Sequence, residues 1–275
     1  EDGTVWLVFN GEIYNHLELR RALREDYPFR GHSDTEVLLA SIVRWGVEKA
    51  LPELNGMFAF ALWDRRERRL TLARDRLGEK PLYYGWNGGR FLFGSELKAL
   101  AAHPGWRGEL DRDALASYLR LSYVPGPYSI YRGIAKLGPG CTATLELGQE
   151  QPTIRTYWSA REVAEIGLSH PFSGSETEAV EALEGLLSQA VGMRMHADVP
   201  LGAFLSGGID STLVVALMQT QSARPVRTFS IGFHEPGFDE APFARHVAAH
   251  LGTDHTELYV TAEESLGTIP HLARL

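Results

Sequence analysis

Cys141 is the only cysteine among the 275 residues. A lone thiol excludes an intramolecular disulfide, and so little cysteine fits a reducing compartment, which makes the cytoplasm the expected location. No apolar run approaches the ~20 residues that a membrane helix needs, and no signal peptide opens the chain, so no membrane association is expected. Basic residues are in deficit: 27 Lys and Arg stand against 35 Asp and Glu, for a net charge of -8. With no Lys/Arg-rich run, a nucleic-acid partner is not expected. The pattern G-x-x-x-x-G-K-[ST] occurs nowhere, which removes the Walker loop from consideration. Internal repeats and low-complexity tracts are missing as well.

What is present describes a globular protein. Apolar residues make up 44% and charged residues 23%, enough for a sizeable core, and the length suits two ordinary domains. Residues 4 to about 150 alternate strands and helices. A strand is expected over Thr4–Phe9 and an amphipathic helix over Tyr14–Arg24. Ser33-Asp34-Thr35-Glu36 reads as a capping box for a helix from Val37 to Trp45, and Asn87-Gly88 as a hairpin turn. The pattern loosens over 151–175, the expected linker. Beyond it a helix is expected over Glu176–Met195, with an apolar face at Val180, Leu183, Leu187 and Val191. Strands then alternate with helices to the end, which indicates a parallel α/β sheet. The chain starts at Glu1 without an initiator Met and stops at Leu275 inside a helical pattern, as expected of a fragment cut at both ends.

The run Phe204-Leu205-Ser206-Gly207-Gly208-Ile209-Asp210-Ser211 is a buried strand breaking into a glycine turn, followed by a helix expected over Thr212–Met218. Two glycines allow the backbone close to a ligand, and the first amides of a helix, with its dipole behind them, suit a polyanion. Ser206 and Ser211 add hydroxyl donors. Asp210 is out of place beside bare phosphate but makes sense if magnesium bridges it to the phosphates. A Gly-Gly turn with Ser or Asp merely capping a helix is the alternative. The run resembles the Ser-Gly-Gly-x-Asp-Ser signature of the PP-loop ATP pyrophosphatases.

In the first half, Asn10-Gly11-Glu12-Ile13-Tyr14-Asn15 ends the first strand. Asn-Gly is a common turn dipeptide, but an Asn amide beside a Gly N–H can also hold an oxyanion. Asp34 is either the first residue of its helix or a carboxylate for a ligand ammonium. Asn10–Asn15, Ser33–Glu36, Leu54–Phe60, Arg74–Tyr84 and Phe93–Leu100, in this order, resemble the glutaminase domain of the class II amidotransferases. Joined to Ser206–Ser211, with Val199-Pro200-Leu201-Gly202 before it and Asp239-Glu240 and His255 after it, they resemble the glutamine-hydrolysing asparagine synthetases over essentially the whole chain.

That resemblance implies an α+β N-terminal-nucleophile hydrolase domain (αββα) over 1–150, then an α/β PP-loop domain with a parallel sheet over 176–275, both truncated. It implies that glutamine is hydrolysed in the first domain, and that ammonia attacks an aspartyl adenylate made from aspartate and MgATP in the second, giving asparagine and AMP with release of pyrophosphate. Asn10 and Gly11 would form the oxyanion hole, and with them Glu12 and Asp34 would bind glutamine, the two carboxylates at its amino end. Leu205 and Ile231 would flank adenine; Ser206, Gly207, Gly208, Asp210 and Ser211 would hold pyrophosphate and Mg2+. The partners are then small molecules (glutamine, aspartate and ATP), and a homodimer is compatible with the family.

Two parts of the family pattern are not found: the N-terminal cysteine nucleophile with its glutamine-gripping Arg segment, and the second ATP loop with its acid and lysine. Residues 1–275 alone are therefore expected to show neither activity. Cys141, in Gly140-Cys141-Thr142, reads as structural. Gly138–Ala143 matches the dinucleotide fingerprint only formally, since a strand follows it. His246 and His250 lack a third ligand nearby, and Arg65–Arg69 reads as a solvated turn. The alternatives are a β-lactam synthetase-like or other specialised amidotransferase ligase, and a catalytically dead nucleotide-binding relative. Intact Asn10-Gly11-Glu12 and Asp34 favour a glutamine user.

Overall fold

A computed structural model of the chain describes residues 3–235 and 237–272. Two compact units divide it, Glu1–Pro171 and Phe172–Leu275. In the first, β1 (Val5–Ile13) leads through α1 (His16–Leu23), α2 (Asp34–Trp45) and the single turn α3 (Val47–Ala50) to β2 (Gly56–Asp64) and β3 (Arg69–Arg74). The hairpin β4 (Tyr83–Asn87) and β5 (Arg90–Gly94) follows, then α4 (Leu97–Ala101), α5 (Arg112–Leu121), β6 (Ile134–Lys136), β7 (Cys141–Glu146), β8 (Thr153–Thr156) and α6 (Ala160–Ser169). The strands form two antiparallel sheets, ordered β1-β2-β3-β7-β8 and β5-β4-β6.

The residues of β2 explain the layering. Successive side chains of a strand point to opposite faces. Phe58, Phe60 and Leu62 fall on one face, where they pack with Leu19, Val37 and Leu38 of α1 and α2. Ala59 and Ala61 fall on the other, with Leu72 and Ala143, and pack against Leu82 and Leu137, which flank the second sheet. A strand buried on both faces reads as a near-continuous apolar run, and Gly56–Asp64 is one. The α+β architecture of the first unit is the expected one.

The structure corrects several expectations here. The first strand is longer than the expected Thr4–Phe9: β1 runs on to Ile13 and pairs with β2 along nine positions, so the turn alternative at Asn10-Gly11 falls away. The capping box is half made, because Ser33 Oγ accepts from the Glu36 N–H at 3.3 Å while the Glu36 carboxylate turns to the N–H groups of Arg30 and Gly31, both at 2.8 Å. Of these the Arg30 N–H does most to hold the Glu36 carboxyl below its usual range. The stretch 151–175 contains β8 and α6, and the division between units falls at 171/172.

The second unit contains α7 (Glu176–Arg194), β9 (Gly202–Phe204), α8 (Ile209–Thr220), β10 (Arg227–Phe233), α9 (Ala241–Leu251), β11 (Asp254–Val260) and α10 (Ala262–Leu272). Its three strands are parallel, in the order β11-β10-β9. Leu205, Val215, Ala244 and Ala248 form the core between sheet and helices. Ser175 and Glu178 complete a capping box on α7. The apolar face expected on that helix is only partly covered, since Val180 and Leu183 are exposed within the unit. Helix α8 starts at Ile209, three residues before the expected start, so Asp210 and Ser211 lie in its first turn. Glu1 and the last three positions of the expected C-terminal helix lie outside the described residues.

Candidate functional site

In the first unit the candidate residues gather at the end of β1. Asn10 and Glu12 alternate onto one face, and the Asn10 side-chain amide donates to Ser95 Oγ at 2.8 Å. That bond uses one of the two amide hydrogens and fixes the direction of the other. Gly11 faces Phe58 across the pair, and a Cβ there would lie 2.2 Å from the Met57 carbonyl oxygen. The Ile13 N–H leaves the edge of the sheet to donate to Asp34 Oδ2 at 2.9 Å. Because N–H directions alternate along a strand, the Gly11 N–H points off the same edge. Asn10, Gly11, Glu12 and Asp34 are thus brought together, and Asp34 keeps further acceptor capacity on its carboxylate.

Behind them stands a group that sequence reasoning missed. Asp75 is 1% exposed, and its carboxylate accepts from four backbone N–H groups: Phe58 at 3.1 Å, Leu77 at 3.1 Å, Glu79 at 2.9 Å and Lys80 at 2.9 Å. Next to it the half-buried Arg74 guanidinium donates to the carbonyls of Lys80, Leu137 and Gly78 at 2.7, 2.7 and 2.6 Å. Burial pushes the Arg74 pKa down and that of Tyr157, whose hydroxyl donates to the Arg74 carbonyl, up. Together Arg74 and Asp75 tie the turn after β3 to the partner of Gly11. Ser95 was also missed as a site residue; its one signal was its place in the Phe93–Leu100 run.

Cys141 begins β7. Its Sγ donates to the Pro139 carbonyl at 3.4 Å and lies 3.6 Å from Thr156 Oγ1.

In the second unit the Ser206–Ser211 run lies between the carboxyl end of β9 and the start of α8. The Leu205 N–H donates to the Phe229 carbonyl at 2.8 Å, which seats the turn against β10. Gly207 has φ +81, and a Cβ there would meet Phe243 Cβ at 2.7 Å and the Ala244 nitrogen at 2.9 Å, so only glycine lets the loop rest on α9. Ser206 Oγ and Ser211 Oγ lie 2.9 Å apart. The first N–H groups of α8 have no intrahelical acceptor, and they sit beside both hydroxyls. A cavity of about 360 Å³ adjoins them, lined in part by Leu205, Ser206, Ser211, Ser230, Ile231 and Glu240. Its place outside the carboxyl ends of parallel strands is the usual one for a ligand in such sheets.

Asp210 is exposed in that first turn. Among the described residues no group of three or more His, Cys, Asp or Glu side chains could hold a metal ion. The His246 ring nitrogen Nδ1 is 2.7 Å from the Pro242 carbonyl, one turn back on its own helix. No described helix is long and apolar enough to cross a membrane.

On β11, Glu257 pairs with Arg245 of α9 through two hydrogen bonds, one of them 2.7 Å long. Arg245 holds the Glu257 carboxyl below its ordinary range. A depressed carboxylate stabilises the fold above its unfolded pKa of about 4.3, and that contribution is lost as pH falls through the lower folded value. Glu257→Gln is therefore expected to flatten the acid-side fall of the second unit's thermal midpoint as pH drops below about 4.3. An unchanged profile, followed by circular dichroism, would show the pair to be without effect.

Residues 1–158 match the glutamine amidotransferase domain family, and residues 182–275 match the asparagine synthase family. Among curated proteins, the chain is 37% identical over 273 residues to asparagine synthetase [glutamine-hydrolyzing] 1 of Bacillus subtilis, across 99% of this chain and 42% of that protein. It is 34% identical over 279 residues to asparagine synthetase [glutamine-hydrolyzing] 3 of the same organism, across 95% and 44%. It is also 32% identical over 285 residues to amidase chyE of Penicillium rubens, across 98% and 40%. The chain spans about two fifths of the length of these relatives. With that match over the unit that holds Asn10 and Asp34, the chain belongs to the glutamine amidotransferase domain family, and the unit that holds the Ser206–Ser211 loop matches the asparagine synthase family.

Proposed function

We propose that this chain serves glutamine-dependent asparagine synthesis in the cytoplasm, with glutamine, aspartate and ATP as its small-molecule partners. The observation that carries the proposal is the second-unit loop. Gly207 is held against α9, two hydroxyls meet at the start of α8, and a cavity opens beside them at the strand ends.

The chemistry assigned to each residue follows from what it offers. Asp34 and Glu12 present negative charge to the ammonium of glutamine. The free Asn10 amide hydrogen and the Gly11 N–H receive the charge that develops on the side-chain carbonyl oxygen when a thiolate attacks it. Such donors are worth about 10²- to 10³-fold in rate. Cys141, held at the start of β7, is not that thiolate.

In the second unit, Ser206, Ser211 and the α8 amides hold the pyrophosphate portion of ATP, while Leu205 and Ile231 border the base. Asp210 would hold Mg2+ together with phosphate oxygens, and the ion would supply neutralisation of phosphate charge. The aspartate side-chain carboxylate attacks the α-phosphorus and expels pyrophosphate. Ammonia then adds to the activated carbonyl, and AMP leaves.

The test uses the full gene product with glutamine or ammonium as nitrogen source. Asn10→Ala is expected to lower glutamine-dependent asparagine formation about 10²-fold while sparing the ammonium-dependent reaction. Asp210→Asn is expected to lower both. Equal loss of both reactions in Asn10→Ala would overturn the assignment to the first unit. A second reading is a ligase that activates a different carboxylic acid; pyrophosphate release that ignores aspartate would favour it.

A further inference from the structure

A row of polar side chains runs through the parallel sheet to the cavity and has no part in the chemistry above. Thr228, fully buried on β10, faces His255 of β11, and its Oγ1 lies 2.9 Å from both Thr253 Oγ1 and His255 Nδ1. The other ring nitrogen, Nε2, lies 3.2 Å from Oγ of Ser230, a cavity-lining residue that is 7% exposed. Nε2 also faces Glu257 Oε1 at 3.7 Å.

The order of donors in this row follows from the charges at its ends. Arg245 keeps Glu257 anionic, and a carboxylate opposite Nε2 favours the hydrogen on that nitrogen. Nε2–H then donates to Ser230 Oγ. The bare Nδ1 accepts from Thr228, whose oxygen accepts from Thr253. Ser230 already accepts from the imidazole, so its own hydrogen is turned away from the ring. The exit is the cavity. A row of hydrogen bonds running in one direction also polarises its last donor.

We infer that His255 is a positioning residue of the nucleotide site: it holds Ser230 so that the serine hydroxyl is a hydrogen-bond donor to an acceptor atom of the bound nucleotide. The inference rests on the nucleotide reading of the Ser206–Ser211 loop.

The experiment is a double-mutant cycle on MgATP binding by the full gene product, measured by calorimetry, with Ser230→Ala, His255→Gln and the double variant. Each single change is expected to weaken binding about 3- to 10-fold, the range of one neutral hydrogen bond. The double variant should be no weaker than the worse single, because both act through one hydroxyl. Ser230→Thr, which keeps the hydroxyl, should restore most of the affinity. In nitrogen-15 spectra the His255 ring should carry its hydrogen on Nε2.

Fully additive losses would overturn the inference, as would the opposite tautomer. So would a His255→Gln protein that melts earlier yet binds MgATP unchanged. A wild-type protein that binds no MgATP removes the nucleotide reading itself, and the inference with it.

Discussion

Asp75→Ala is expected to destabilise the first unit severely. The carboxylate accepts from four backbone N–H groups in a site that is 1% exposed. An alanine supplies no acceptor and too little space for several waters. Each buried donor left without a partner costs about 1–3 kcal/mol. The Phe58 donor is buried and the other three are part-buried, so a loss of about 3 kcal/mol is expected, a large share of the roughly 5–15 kcal/mol that holds a small domain. Asp75→Asn keeps one oxygen and turns an NH2 group toward the other pair of donors, so an intermediate loss is expected. All six tryptophans lie at or before Trp158, so tryptophan fluorescence in a urea titration reports the first unit alone. A midpoint for Asp75→Ala within experimental error of wild type would contradict this account.

Gly11→Ala is expected to be nearly as damaging for a different reason. Its Cβ would stand 2.2 Å from the Met57 carbonyl oxygen and 2.6 Å from Phe58 Cα, both main-chain atoms of β2. No side chain can rotate to make room, so the two strands must part. Overpacking in a well-packed region costs about 1–3 kcal/mol and more where relief is blocked. About 3 kcal/mol is expected from the same fluorescence titration, with loss of glutamine hydrolysis in the full gene product. Gly56 faces the same crowding from the other strand, 2.2 Å from the Glu12 carbonyl oxygen, so Gly56→Ala should behave alike. A Gly11→Ala protein of wild-type stability would mean that β1 and β2 separate freely at this point.

Local patterns carried much of the fold. Gly56–Asp64 announces itself by its apolar run, Arg69–Arg74 by its alternating Leu residues, and Asn87-Gly88 marks the β4–β5 hairpin. The end of β1 was hidden because Asn10-Gly11 as a dipeptide favours a turn in isolation. Nine pairs with a strand some fifty residues away override that preference. β8 is short and exposed along its length, which leaves too weak a pattern to separate from a linker. Site residues next to one another in sequence were visible as motifs. Asp75 was not, because the distant Phe58 N–H comes to it only through sheet pairing. Nor was the link from His255 to Ser230, which depends on the parallel register of β10 and β11.

Strand β3 ends at Arg74, and its second partner β7 does not begin until Cys141. The whole β5-β4-β6 sheet is built within that gap of about 66 residues, whose length-dependent closure entropy alone is about 3.7 kcal/mol. During synthesis at about 5–20 residues per second, β3 waits roughly 3–13 s for its neighbour. Through that interval its outer row of N–H and C=O groups is an open strand edge, the kind of surface on which other chains pair. The nascent first unit is therefore most exposed to misassembly while the ribosome is still making the sheet that separates β3 from β7.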